Sequence, residues 1–140
     1  MNPKNYILLV AGEPNSIFLE IFFKTIDEVK TKKPLILIAS LKVIQFQMKK
    51  LRYKKKIKLI NSDLTLNSKL DNKSINLINV NYNVTKGFEN ISSKSNKYIE
   101  SCFQLAFKVI KTNKIKRFVS GPINKNTFLN KKYLGITEYI

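Results

Sequence analysis

The feature that most constrains this chain is the regular change of hydrophobic period along it. Short unbroken apolar runs alternate with stretches whose apolar residues recur at helical spacing. An unbroken run of strand length, closed by turn residues, suits a strand buried on both faces of a sheet. Tyr6–Ala11 reads this way and stops at Gly12-Glu13-Pro14; Leu35–Ala39, opened by Pro34, is a second such strand. Lys56–Ile60, Ser74–Val80 and Arg117–Ser120 read as further strands. Between the first two, over Ser16–Lys30, Ile17, Ile21, Phe22, Ile26 and Val29 fall on one helical face, with Glu20 and Lys24 paired one turn apart. A second amphipathic helix is expected over Leu41–Leu51. A third is expected over Lys97–Thr112, with a stripe of Ile99, Phe103, Ala106, Phe107 and Ile110. Asn61–Lys73 reads as irregular, Asn81–Ser95 as a long loop turning at Gly87, and Asn124–Leu129 as a short helix. Alternation of this kind specifies an α/β fold: a layered parallel or mixed sheet flanked by helices. Ligands of such sheets gather beyond the carboxyl ends of the strands. Two loops qualify, Gly12–Ser16 and Ser120–Lys125.

Composition removes several chemistries. Zero His excludes a His general base, a Ser-His or Cys-His nucleophile pair and a His-ligated metal within these 140 residues. A single Cys, Cys102, excludes an internal disulfide and a Cys-based zinc site. It falls in the apolar stripe of the third helix and reads as a buried structural thiol. Its solitude fits a reducing, cytoplasmic setting. No apolar run approaches the length of a membrane span, and no signal peptide is expected at the N-terminus. The formal charge of +17 raises nucleic acid as a partner. Yet 24 of the 26 basic residues are Lys, scattered through every segment, whereas base and phosphate readers draw on the Arg fork. The one dense run, Lys49–Lys58 with seven basic residues in ten, reads as a solvated helix end and loop. The aromatic residues follow core periodicity and do not interleave with it, so nucleic acid is not the expected partner.

Gly and Pro concentrate in three segments. Gly12-Glu13-Pro14 joins a strand to a helix, where Gly permits a tight turn and Pro suits a first helical turn. Ser120-Gly121-Pro122-Ile123-Asn124-Lys125 is a second turn after a strand; Lys125 would set a positive charge beside a bound phosphate. The segment lacks the second Gly of a P-loop, which disfavours nucleotide hydrolysis. In the third, Gly135-Ile136-Thr137-Glu138, the Thr137 hydroxyl is available to cap a helix or to meet an anion. Glu13, Glu20 and Asp27 recur every seven residues, but a turn and a solvated helix face do not make a catalytic carboxylate pair.

In order and spacing, these three segments resemble the N-terminal half of the 4-hydroxythreonine-4-phosphate dehydrogenase family. That family carries Gly-Asp/Glu-Pro-Ala-Gly-Ile-Gly-Pro-Glu after its first strand, then Gly-Pro-Ile-Asn-Lys, then Gly-His-Thr-Glu. Here the first segment reads Gly12-Glu13-Pro14-Asn15-Ser16-Ile17-Phe18-Leu19-Glu20, the second matches closely, and the third has Ile136 where the family has His. The resemblance implies part of a two-domain fold of the isocitrate/isopropylmalate dehydrogenase type, with this chain as its truncated N-terminal portion. It implies NAD-dependent oxidation of 4-phosphohydroxythreonine and loss of carbon dioxide, giving 3-amino-2-oxopropyl phosphate on the route to vitamin B6. It further implies a homodimer and a divalent metal whose ligands belong to the other half, so that this chain alone is expected to be inactive. Substrate contacts are expected from Thr137, Ile136 and Lys125, and cofactor contacts from Gly12, Glu13 and Pro14. Two alternatives stand beside this: a divergent or inactive paralogue acting on another phosphorylated hydroxy acid, favoured by Ile136, and a small basic nucleic-acid-binding module using Lys49–Lys58.

Overall fold

The computed structural model describes residues 5–84, 88–129 and 136–140. Its five strands, β1 (Ile7–Val10), β2 (Leu35–Ala39), β3 (Ile57–Leu59), β4 (Ile75–Asn79) and β5 (Phe118–Ser120), form one sheet in the order β3-β4-β2-β1-β5. Every pairing is parallel, with Ile7 opposite Leu35, Leu8 opposite Phe118, Ile36 opposite Asn76 and Ile57 opposite Ile75. The central strand β2 is buried along its whole length. That is why its sequence is a continuous apolar run and not an alternation.

Helices α1 (Phe18–Glu28) and α2 (Leu41–Lys50) cover one face, and α3 (Asn96–Asn113) covers the other. The core is therefore double. Leu35, Leu37 and Ala39 meet Phe22, Phe23, Val43 and Ile44 on one side; Leu8, Val10, Ile36 and Ile38 meet Ile99, Cys102, Phe103 and Ala106 on the other. Ser40 caps α2 by accepting a hydrogen bond from Val43 N at 3.3 Å. Helices α2 and α3 end in left-handed residues without glycine. Arg52 after α2 and Lys114 after α3 both sit at φ 53°, and Tyr53 N and Ile115 N close the turns on Met48 O and Ile110 O.

Three details differ from the sequence reading. The buried face of α1 is Leu19, Phe22, Phe23 and Ile26, while Ile17 and Ile21 are exposed. Nearly every position from Ile17 to Phe23 is apolar, so two faces compete. The larger aromatic area wins, with Phe23 stacked on Tyr53 at 4.9 Å. Residues 124–129 form a single turn, closed by Phe128 N on Asn124 O at 2.9 Å, and not a helix. The irregular segment before β4 supplies two core side chains, Leu64 and Leu70. Leu64 sits in a single 3-10 turn whose N–H is held by the buried Asn113 amide of α3. Gly87 and Gly135 lie outside the described residues.

Candidate functional site

The first two Gly-Pro segments meet at the carboxyl ends of β1 and β5, which are neighbours in the sheet. Gly12 has φ +71°, and a Cβ built there would collide with the Pro122 carbonyl oxygen. One built on Gly121 would collide with the Ala11 carbonyl oxygen. Glu13 N donates to Pro122 O at 2.9 Å, and Gly121 N to Val10 O at 2.7 Å. Both glycines thus let two backbones touch.

Gly12, Glu13 and Pro14 are buried; Asn15 and Ser16 are the half-exposed part of the turn. The Glu13 carboxylate, 3% exposed, accepts Asn15 N at 3.2 Å through one oxygen and the Ser95 hydroxyl at 3.0 Å through the other. Asn15 in turn accepts Glu89 N at 3.0 Å, and Gln47 of α2 donates to Pro14 O at 2.6 Å. Glu13 therefore ties the β1 turn to the segment that opens α3. The residue after Ser95, Asn96, donates to Thr127 O at 2.6 Å in the turn after β5. Asn124 closes that turn by accepting Asn126 N and Thr127 N, each at 3.0 Å. Lys125 is exposed on it.

The third segment opens α4 (Ile136–Tyr139). Tyr139 anchors it edge-on against Phe103 and Phe128, at 5.5 and 5.2 Å between ring centres. Phe128 follows Lys125 by three residues, so the second and third segments share one aromatic anchor. The side chains of Ile136 and Thr137 lie outside the described residues.

One feature of this edge has no signal in the sequence. The chain leaves β2 toward the face of α2 and leaves β4 toward the face of α3, yet β2 and β4 are adjacent. That divergence is a topological switch point, where open α/β sheets hold ligands. A cavity of about 460 Å³ lies there, lined by residues 40–42 after β2, by Asn79 at the end of β4 and by Asn81, Tyr82 and Asn83 beyond it. A second, of about 380 Å³, shares Asn81, Tyr82 and Asn83 and extends to Lys97 and Tyr98 of α3. The motif was invisible because a switch point is a property of strand order. Tyr98 Oη accepts Ser40 N at 2.9 Å and its ring stacks on Tyr82 at 4.8 Å. Burial pushes the Tyr98 hydroxyl well above its ordinary value, and burial, then the Glu89 and Glu13 charges, raise that of Tyr82.

Among the described residues, no three His, Cys, Asp or Glu side chains gather to hold a metal ion, and Cys102 is enclosed in the core. The described residues thus offer no donor set for the divalent metal implied by the resemblance, whose ligands that resemblance assigns to the other half. Nor is any described helix long and apolar enough to cross a membrane.

No protein-family model and no curated protein matches the chain. Solved structures do. A 4-hydroxythreonine-4-phosphate dehydrogenase from Klebsiella pneumoniae superposes with a TM-score of 0.78 at 17% identity, over 95% of this chain and 42% of that one. The enzyme of that name from Burkholderia phymatum gives 0.78 at 19%, over 95% and 41%. A proposed enzyme of the same name from Salmonella typhimurium gives 0.79 at 18%, over 95% and 42%. The chain thus spans well under half the length of these proteins, and over nearly all of its own length it has their fold.

Proposed function

We propose that this chain is part of an NAD-dependent dehydrogenase that oxidises the C3 hydroxyl of 4-phosphohydroxythreonine, the resulting β-keto acid losing carbon dioxide to give 3-amino-2-oxopropyl phosphate. The observation that carries the reading is the joining of Gly12-Glu13-Pro14 to Gly121-Pro122-Ile123-Asn124-Lys125, backbone on backbone, in a sheet with the fold of solved structures bearing that name. Lys125, Thr137 and position 136 are assigned to the substrate. Lys125 supplies a cation for its phosphate and Thr137 a hydroxyl donor. NAD, when bound, accepts the hydride.

Gly12, Glu13 and Pro14 are assigned to the cofactor side. The space beside Gly12 is taken by Pro122, so these residues shape the wall of the site, and Asn15 and Ser16 are what the turn presents to solvent. The divalent metal that the resemblance implies would take its ligands from the other half of the protein, since the described residues hold no donor set for one. A homodimer in the cytoplasm, with this chain as the N-terminal portion of a two-domain protein, belongs to the same proposal. Ile136 in place of the family's His favours a second reading, a paralogue acting on another phosphorylated hydroxy acid.

The test is NADH formation from 4-phosphohydroxythreonine by the natural polypeptide that carries residues 1–140. Turnover is expected, with Lys125→Gln raising KM about fivefold and changing kcat little, as loss of one exposed cation–phosphate contact would. Turnover of other phosphorylated hydroxy acids only would establish the paralogue, and no turnover of any would end the dehydrogenase reading.

A further inference from the structure

We propose that the open edge of β3 docks an acidic, extended segment of another protein, which adds to the sheet as a further strand. The inference does not depend on the dehydrogenase reading. Among the described residues β3 ends the sheet and pairs with β4 alone. Lys56 O accepts Ile75 N at 2.8 Å, and Ile60 N donates to Leu77 O at 2.9 Å, so alternate residues of this segment bond toward β4. The N–H and C=O groups of Ile57 and Leu59 therefore point the other way, where they have no hydrogen-bond partner among the described residues. A row of such groups is a template for one more strand.

A place for a side chain lies at the same edge. Leu59 is 59% exposed, and with Ile60, Leu77, Ile78 and Leu105 it lines a cavity of about 360 Å³ at the carboxyl ends of β3 and β4. Asn67 folds the following turn back by accepting Asn61 N at 2.8 Å, which brings Leu66, 70% exposed, to that end of the strand. Two exposed leucines beside a cavity without a carboxylate suit an apolar side chain of the added strand. Charge then selects the occupant. Lys54 and Lys56 are exposed at the start of β3 and in no ion pair among the described residues. The carboxylates nearest to them are engaged elsewhere: Asp27 holds Lys55 at 2.6 Å, and Asp63 accepts Thr65 N and the Thr65 hydroxyl. Lysines on this edge repel a second copy of a chain carrying +17 and attract a strand that bears carboxylates. A nucleic acid meets the same charge but has no alternating amide and carbonyl groups to pair with Ile57 and Leu59.

The probe is a short synthetic peptide in which Glu and Val alternate, blocked at both ends and titrated into the full chain at constant ionic strength. Saturating amide shifts over residues 56–60 are expected, with hydrogen exchange slowed at Ile57 and Leu59 and unchanged at Lys58, which already faces β4. The same peptide N-methylated at alternate residues keeps its charge but cannot pair, and should bind at least about tenfold more weakly. Lys56→Glu should weaken binding about fivefold, whereas Lys116→Glu, the same change beside β5 at the opposite edge of the sheet, should leave it unchanged. The amide spectrum of each variant reports that it is folded. Equal binding of the methylated peptide, unslowed exchange at Ile57 and Leu59, or an equal loss in Lys116→Glu would overturn the proposal by showing only attraction to the general positive charge. Tighter binding of duplex DNA than of the peptide at the same amides would overturn it in favour of a nucleic acid.

Discussion

Single residues carry the junction between the two glycine-proline turns. Gly12 is needed twice, for its positive φ and for the approach of Pro122, whereas Gly121 is needed for the approach of Ala11 alone. Gly12→Ala should cost about 2 kcal/mol or more, since left-handed backbone and backbone overlap add. Gly121→Ala should also destabilise, and urea denaturation measures both. Glu13→Gln removes the charge from a carboxylate held by Asn15 N and the Ser95 hydroxyl. A loss of about 1–3 kcal/mol is expected, because a buried amide cannot accept at both positions. If Glu13→Gln melts like the parent, the carboxylate is not what joins the turn to α3. At position 136 the expectation is one of binding: in the polypeptide that turns over substrate, Ile136→His should lower KM, because imidazole can hydrogen-bond a phosphate and a branched alkyl group cannot. An unchanged KM would detach that position from the substrate.

At the scale of elements, the helix ends and the helix-to-strand contacts are where stability can be moved. Arg52 and Lys114 adopt a left-handed conformation that suits glycine. Lys114→Gly should therefore raise stability by up to about 1 kcal/mol despite the greater entropy of the unfolded glycine, read as a higher denaturation midpoint. Within α3, burial pushes the Cys102 thiol up to about 12, partly offset by the hydrogen bond with Tyr98. A raised folded value means the neutral thiol stabilises fully below the unfolded value, near 8.5, and that this contribution drains away as pH climbs toward 12. Cys102 should accordingly resist a thiol reagent at pH 8 until the chain is unfolded; rapid labelling of the native protein would place it outside the core. Between α1 and the start of β3, Asp27 accepts Lys55 at 2.6 Å and Tyr53 at 2.9 Å, and these partners, Lys55 first, hold its carboxyl below the ordinary range. A lowered value stabilises above the unfolded value and is lost as pH falls through the folded one. Because Asp27 is half exposed, Asp27→Asn should cost under about 1 kcal/mol near neutrality and nothing in strong acid.

For the whole molecule, the dominant physical fact is a net charge of +17 on 140 residues. Self-repulsion of that size opposes the compact state and is screened by salt. Raising ionic strength from about 10 to 150 mM shortens the screening length from about 30 to 8 Å and should raise the melting temperature. A falling melting temperature would mean that specific ion pairs outweigh the repulsion. The basic run contributes unevenly. Lys49, Lys50, Lys54 and Lys56 are exposed, whereas Lys55 is tied to Asp27 and Lys58 donates to the Ser68 hydroxyl at 2.8 Å. Changing the first four to Gln should shift stability by no more than about 0.5 kcal/mol each and leave the fold intact.

The strands and three long helices were legible because burial on both faces of a parallel sheet writes itself as an apolar run, and burial on one face of a helix as a stripe. β2 and α3 show this most directly. Likewise, the glycine-proline turns announced themselves, since few residue types tolerate such backbone. Where local signals were degenerate, tertiary contacts decided. In α1 an apolar run long enough for two faces was settled by the stacking of Phe23 on Tyr53, thirty residues on. Between β3 and β4 a polar stretch gained a buried Leu64 only because Asn113 satisfies its backbone. The sequence by itself determined the class of fold and the residues able to turn tightly. Strand order, and with it the meeting of Gly12 with Gly121 and the crevice between β2 and β4, was decided by the tertiary structure, because adjacency in a sheet depends on contacts far apart in the chain.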